Sequence, residues 1–357
     1  MPFLSIISFV LVILITVSIH ELGHYIIAIK SGIKVAEFSI GFGSSIYSKQ
    51  LKNGTMFHVR SLPFGGYVKM SEEESKEIKP SKNILKSSSG SNFSDKSNII
   101  KILVALGGPI ANYVLALFLF FIVFSFKGIA GAPESVIVNK VVEAKASANI
   151  NKLHKDDKIT AIGGTKINSL NELHEIIASS KGKEIKIEYT RDGQAQQIHT
   201  TPISKNGKYT IGLSLIEKKS FIKLGYYDSL VKSATYINQL TIGSIQGLIG
   251  IIKGTHSKAN LGGPIKIAQF AGIYMQQGFF TFLTFIATLS ASLFLLNLLP
   301  IPALDGGQIL FYAVELIIGR PMHVIFYKAF QILGTLSILF LMAFTLLNDI
   351  ISIFIKK

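Results

Sequence analysis

Residues 3–24 read FLSIISFVLVILITVSIHELGH. The run 3–19 is almost unbroken in Leu, Ile, Val and Phe, and it leads straight into His20-Glu21-Leu22-Gly23-His24. Histidines four apart project from one face of a helix, about one turn from each other. Both imidazoles can then hold one zinc ion, with Glu21 beside them as a base. Two histidines and a carboxylate are costly in hydrocarbon, so their place in a membrane-length run implies chemistry there.

Composition agrees with a membrane protein. The chain has 357 residues, 49% of them hydrophobic, and a mean hydropathy of +0.45. Its apolar residues cluster in four runs, at about 3–29, 102–126, 279–299 and 325–351. Each clears the roughly 20 residues that a spanning helix needs. Net charge is +15. No nucleic-acid module accompanies it, and lysines flanking membrane segments beside anionic lipid account for it. There is no cysteine, so a metal must be held by His, Asp or Glu. The first run lacks a basic start and a small-residue cleavage site, and reads as a retained helix.

No Lys or Arg precedes the first span, whereas Lys30 and Lys34 follow it. The positive-inside rule then puts the N-terminus outside and residues 31–100 in the cytoplasm. Within 31–100, Asn53-Gly54 between strand-like runs signals a hairpin, and the Ser-, Lys- and Glu-rich stretch 71–98 reads as a mobile loop. Residues 128–216 read as a small α+β domain outside the membrane, with strands near 136–138, 158–162 and 185–189 and a helix at 170–178. Residues 217–275 read as amphipathic helices on the membrane surface.

A catalytic zinc site takes three protein ligands and an open position. Asp305 is the only acid between residues 259 and 314, and an unpaired carboxylate in hydrocarbon is strongly disfavoured. It follows Pro300 and Pro302, which break the helix of the third span. Such a break is tolerated only where backbone lines a cavity or lies buried in protein. Spans one and three run in the same direction, so His20, His24 and Asp305 can meet. An exposed strand edge would hold an unwound substrate by β-addition; residues 41–47 and 58–62 are the expected edge, with His58 near the site.

These motifs resemble the site-2 protease family of intramembrane metalloproteases, and among them the bacterial RseP type. His-Glu-x-x-His at 20–24 and Asn297-x-x-Pro300-x-x-x-x-Asp305-Gly306 carry the likeness. So do Gly107-Gly108-Pro109-x-x-Asn112, Phe38-Ser39-Ile40-Gly41-Phe42-Gly43 and Leu62-Pro63-x-Gly65-Gly66. The resemblance implies a polytopic α-helical membrane protein of about four transmembrane helices, with a membrane-associated β-hairpin and one inserted PDZ-like domain. The segments would be a first transmembrane helix at 1–30, a cytoplasmic hairpin and loop at 31–100 and a second helix at 101–127. A PDZ-like domain would follow at 128–216, interfacial helices at 217–275, a broken third span at 276–318 and a fourth helix at 319–357. The type often carries two tandem PDZ domains, and here there is room for one.

The same resemblance implies one Zn2+, held by His20, His24 and Asp305, and a catalytic Glu21. It also implies that Asn297 holds the substrate backbone, and the expected strand edge adds Gly41, Phe42, Gly43, Gly65 and Gly66 as substrate contacts. That substrate would be the transmembrane helix of a single-span protein, such as an anti-sigma factor or a signal-peptide remnant. A peptide C-terminus at the PDZ-like domain and the lipid bilayer of the bacterial inner membrane would be further partners, without nucleic acid. Two other functions compete: a membrane-anchored zinc protease cutting soluble proteins, and a non-enzymatic adaptor using the PDZ-like domain.

Overall fold

The computed structural model describes residues 2–71, 91–142, 148–205, 208–255 and 262–355. Most of the expected loop at 71–98, from 72 to 90, lies outside them. In chain order the elements are α1 (Pro2–Lys30), β1 (Val35–Gln50), β2 (Met56–Met70) and α2 (Asn98–Phe126). Then follow β3 (Ile129–Val141), β4 (Lys158–Ile162), β5 (Thr165–Lys166), α3 (Leu170–Ser179), β6 (Ile185–Arg191) and β7 (Gln194–Thr200). The remainder are β8 (Ile203–Lys205), β9 (Lys208–Thr210), β10 (Leu213–Ile222), α4 (Tyr226–Ile252), α5 (Pro264–Gln276), α6 (Phe279–Leu298), α7 (Asp305–Ile318) and α8 (Val324–Ile355). They fall into two units, residues 1–125 with 225–357, and residues 126–224.

The first unit holds the long helices and the β1–β2 hairpin. Four of its helices, spanning Phe3–Lys30, Asn98–Phe126, Phe279–Leu298 and Val324–Ser352, are long and apolar enough to cross a membrane. Their apolar residues lie largely on the outside, as in Phe326, Phe340 and Leu347, which suits a lipid surround better than water. α1 and α2 touch backbone to backbone: a methyl on Gly107 would sit 2.7 Å from the Gly23 carbonyl. Small residues permit this approach. The N-terminus of α5 is fixed by Asp349 of α8, fully buried, which accepts the N–H groups of Gly263, Ile265 and Lys266 at 3.0–3.1 Å. That carboxylate complements the positive end of the helix dipole.

α6 stops at Leu298 and α7 starts at Asp305. Pro300 and Pro302 lack N–H donors, and Ala303 takes φ 69°, so a helix cannot run through. Gly306 and Gly307 let α7 pack on that break: a methyl on either would meet the carbonyls of Leu298 and Leu299, or of Ile301. Asp305 therefore falls on the first turn of α7.

β1 and β2 form one antiparallel hairpin whose strands bend back on themselves. Gly41, Gly43 and Gly65 have φ of 86°, 87° and 89°, a region glycine enters without cost. The bends create four arms. Residues 37–40 pair with 66–69 on one side and with 56–59 on the other, and 56–60 pair again with 45–50. Phe38 stacks on Tyr25 of α1 at 5.0 Å between ring centres, and Ala28, Ile33, Val35 and Val104 form a buried core under the sheet.

The second unit is an α+β domain. Its main sheet runs β10-β3-β4-β6-β7, with β5 beside β4, and β8 pairs with β9. Val136, Ile159, Ile162, Leu173 and Ile187 lie in its core. α3 begins with a capping box, Ser169 and Glu172 each bonding the other's backbone N–H. Strand β10 continues to Ile222, which corrects the reading of 217–275 as helices throughout. Its residues pair edge to edge with β3 down to Ile222↔Ile129, and this pairing keeps the stretch extended.

Candidate metal centre

α1 presents His20 and His24 one above the other, and the start of α7 brings Asp305 against both. His20 Nε2 lies 3.1 Å from Asp305 Oδ2, His24 Nε2 lies 3.4 Å from Asp305 Oδ1, and the two Nε2 atoms are 3.1 Å apart. Candidate ligand atoms of the three side chains all lie within 4.8 Å of one another. All three are largely withdrawn from solvent.

This donor set fits a metal ion. His24 Nδ1 is 2.7 Å from the carbonyl of Val104. A carbonyl only accepts, so Nδ1 carries the proton, and in the neutral imidazole Nε2 presents its lone pair inward. Asp305 Oδ2 is buried and accepts no well-formed hydrogen bond. Lone pairs and a carboxylate converging in this way repel unless a cation lies among them. Around tetrahedral zinc, ligand atoms about 2.0–2.1 Å from the ion stand about 3.3 Å from each other, and the separations here are 3.1–3.4 Å.

The cluster opens on a cavity of about 1030 Å³, which His20, Glu21, His24, Asp305 and Asn297 all line. The arm 66–70 of β2 forms another wall, and no strand among the described residues pairs with its outer side. Gly66 comes close to Glu21: a methyl there would be 3.0 Å from its Cγ. Asn297, on the last turn of α6, has its amide nitrogen 3.5 Å from His20 Nδ1. On this wall, burial and the hydrogen bond Tyr67 gives to Glu37 hold the phenol above the usual tyrosine range.

The hairpin corrects one expectation. Among the described residues the unpaired edge beside the cavity is 66–70, not 41–47 with 58–62. His58 is paired on both sides, to Ser39 and Ser48, and its Nδ1 bonds Ser48 Oγ at 2.9 Å. Gly41, Phe42, Gly43 and Gly65 make the bends, with Phe42 under Gly65, and do not line the cavity. Of the residues expected to touch substrate, Asn297 and Gly66 do line it. Period-two patterning shows where strands lie but not which side of a doubly bent hairpin stays unpaired. The Val104 carbonyl leaves no trace in residue identity.

Four membrane-length apolar helices, with a His-His-Asp cluster where the first of them meets the start of α7 and a carboxylate alongside, define a multi-pass membrane protein of metallopeptidase type. Peptidase family M50 matches residues 8–342. The chain belongs to this family, the site-2 proteases, and is a zinc metallopeptidase. It is 31% identical to a Rickettsia conorii protein over 98% of this chain and 99% of the relative. A Campylobacter jejuni protein is 32% identical over 96% and 92%, and one from Clostridium perfringens 31% over 93% and 94%. All three bear the name "Putative zinc metalloprotease". The PDZ domain of an SdrC-like protein from Listeria monocytogenes is also similar, with 28% identity, 25% of this chain and 94% of that chain covered, and a TM-score of 0.22.

Proposed function

We propose that this chain cuts peptide bonds in the membrane-spanning segments of single-span proteins, with His20, His24 and Asp305 as the zinc ligands. The observation that carries the reading is that the three candidate ligands come from two apolar stretches far apart in sequence and open on one cavity with a free strand edge. Zinc held by such a set supplies Lewis-acid activation of water and of a carbonyl. Glu21 takes the proton from the attacking water and returns it to the leaving amine. Asn297 donates to the carbonyl oxygen or the neighbouring substrate backbone.

A helical substrate hides its carbonyls in its own hydrogen bonds, so it must unwind first. The outer side of 66–70 offers replacement backbone partners to the extended peptide. In this reading the metal site lies toward the cytoplasmic side of a bacterial inner membrane, and the α+β unit, PDZ-like, lies outside and takes peptide C-termini. Anti-sigma factors and signal-peptide remnants are the matching substrate classes.

The test is co-expression with single-span model substrates. Wild type should cut within the span, and Glu21→Gln should lower turnover by about 10²-fold or more while retaining zinc. Cleavage confined to soluble loops would assign the chain to the class of membrane-anchored proteases instead.

A further inference from the structure

One stripe of α2 faces the two histidines along its length. Val104, Gly108 and Asn112 are each four residues apart and so lie nearly above one another, about one turn between neighbours. At one end the Val104 carbonyl meets His24 Nδ1 at 2.7 Å. At the other the carboxamide nitrogen of Asn112, fully buried, lies 3.2 Å from His20 Nδ1. Ser290 of α6 donates to the backbone carbonyl of Asn112 at 2.9 Å and holds that turn in place. Between the two ends stands Gly108. A methyl built there would collide with His24 Nε2 and would lie 2.6 Å from His20 Cε1 and 2.7 Å from His20 Nε2.

We infer that Gly108 and Asn112 are positioning residues of the metal site: Asn112 sets the tautomer of His20, and Gly108 keeps clear the space the two Nε2 atoms need. This rests on the zinc reading above. The two ends of a carboxamide have the same shape, and turning this one over exchanges Nδ2 for Oδ1 beside His20 and leaves Nδ2 facing the Ser290 hydroxyl, which can accept from it; only the oxygen accepts a proton from Nδ1–H. With Oδ1 toward His20, both imidazoles are protonated at Nδ1 and both turn lone pairs to the same point. Partners of this kind fix ring orientation and raise ligand basicity. Gly108 contributes by the absence of a side chain. The colliding atoms are the tips of two rings that can swing aside, so alanine there is compatible with the fold and favours helix more than glycine does. Swung rings no longer converge on one ion.

Gly107, its neighbour, has a different task. A methyl on it meets the backbone of Gly23, which makes it a packing residue. The pair Gly107-Gly108 thus divides between helix contact and metal space.

The experiment uses the full chain, purified in detergent, stripped of metal and titrated with zinc against a competing chelator. Thermal unfolding of the stripped protein is measured in parallel. Wild type should bind one zinc that His24→Ala abolishes; if it binds none, the zinc reading fails, not this one. Gly108→Ala and Asn112→Leu should unfold within a few degrees of stripped wild type and bind zinc about 10- to 100-fold more weakly. Asn112→Asp, which keeps an acceptor, should stay within a few-fold of wild type. Wild-type affinity in Gly108→Ala and Asn112→Leu would overturn the inference. So would stripped variants that fail to fold, since the stripe would then be a packing seam. An Asn112→Asp as weak as Asn112→Leu would overturn the tautomer role.

Discussion

Arg60 holds three parts of the bent hairpin at once. Its Nε donates to Ser39 Oγ at 2.9 Å, one terminal nitrogen to the Gly43 carbonyl at 2.9 Å, and the other to Tyr67 Oη at 2.8 Å. Tyr67 in turn donates to Glu37 at 2.7 Å. The planar fork makes bonds in several directions that an ammonium cannot copy. Arg60→Lys should therefore lower kcat/KM on a membrane substrate by about tenfold through a misplaced edge, with zinc content unchanged. In the α+β unit, Asp157 is the residue to watch. Burial opposes its ionisation, but two hydrogen bonds from Arg191 at 2.6–2.8 Å and one from the His154 N–H at 2.7 Å outweigh it. Its folded pKa thus lies below the ordinary aspartate value. The stabilisation is complete above the unfolded pKa, near pH 4, and is lost as pH falls through the folded value. Unfolding of this unit, followed by a probe placed within it, should lose several degrees in Asp157→Asn at neutral pH. The gap to wild type should close in strong acid.

At the scale of elements, the hairpin and the α6–α7 break do the placing. The four-armed sheet buries 37–40 between partners, and among the described residues it leaves one side of 66–70 unpaired along the cavity. A proline at Val68 or Lys69 removes a donor and stiffens this arm. Turnover should fall while zinc binding stays intact, and unchanged turnover would exclude the arm as a substrate edge. The break between α6 and α7 places Asp305 at a helix start, where the dipole favours a carboxylate. A continuous helix would have left that residue several turns further along and on a face set by its own periodicity.

At the scale of the molecule, absence of cysteine makes sidedness testable with single substitutions. Lys49 in the hairpin and Lys155 in the α+β unit are both exposed. In intact cells stripped of their outer envelope, a membrane-impermeant thiol reagent should label Lys155→Cys and spare Lys49→Cys until the membrane is opened. The reverse pattern would invert the proposed orientation, and equal labelling would place both on one side.

Much of this protein could be read from residue order alone. Apolar runs of about 20 residues mark the four long helices, and a four-residue spacing puts His20 and His24 on one face of the first. Two prolines before a lone acid single out Asp305 and the broken third helix. These signals are local, because period, length and missing donors act over a few residues. What needed the tertiary structure was every choice that depends on a distant neighbour. The hairpin signal at Asn53-Gly54 is clear, yet which arm stays unpaired follows from bends that send each strand back along its partner. Strand β10 runs on to Ile222, past the expected start of the interfacial helices, because β3 is there to pair with it. Gly107 and Gly108 are the same residue in sequence, and only the part of α1 that each one faces, the Gly23 backbone or the two histidine rings, separates them.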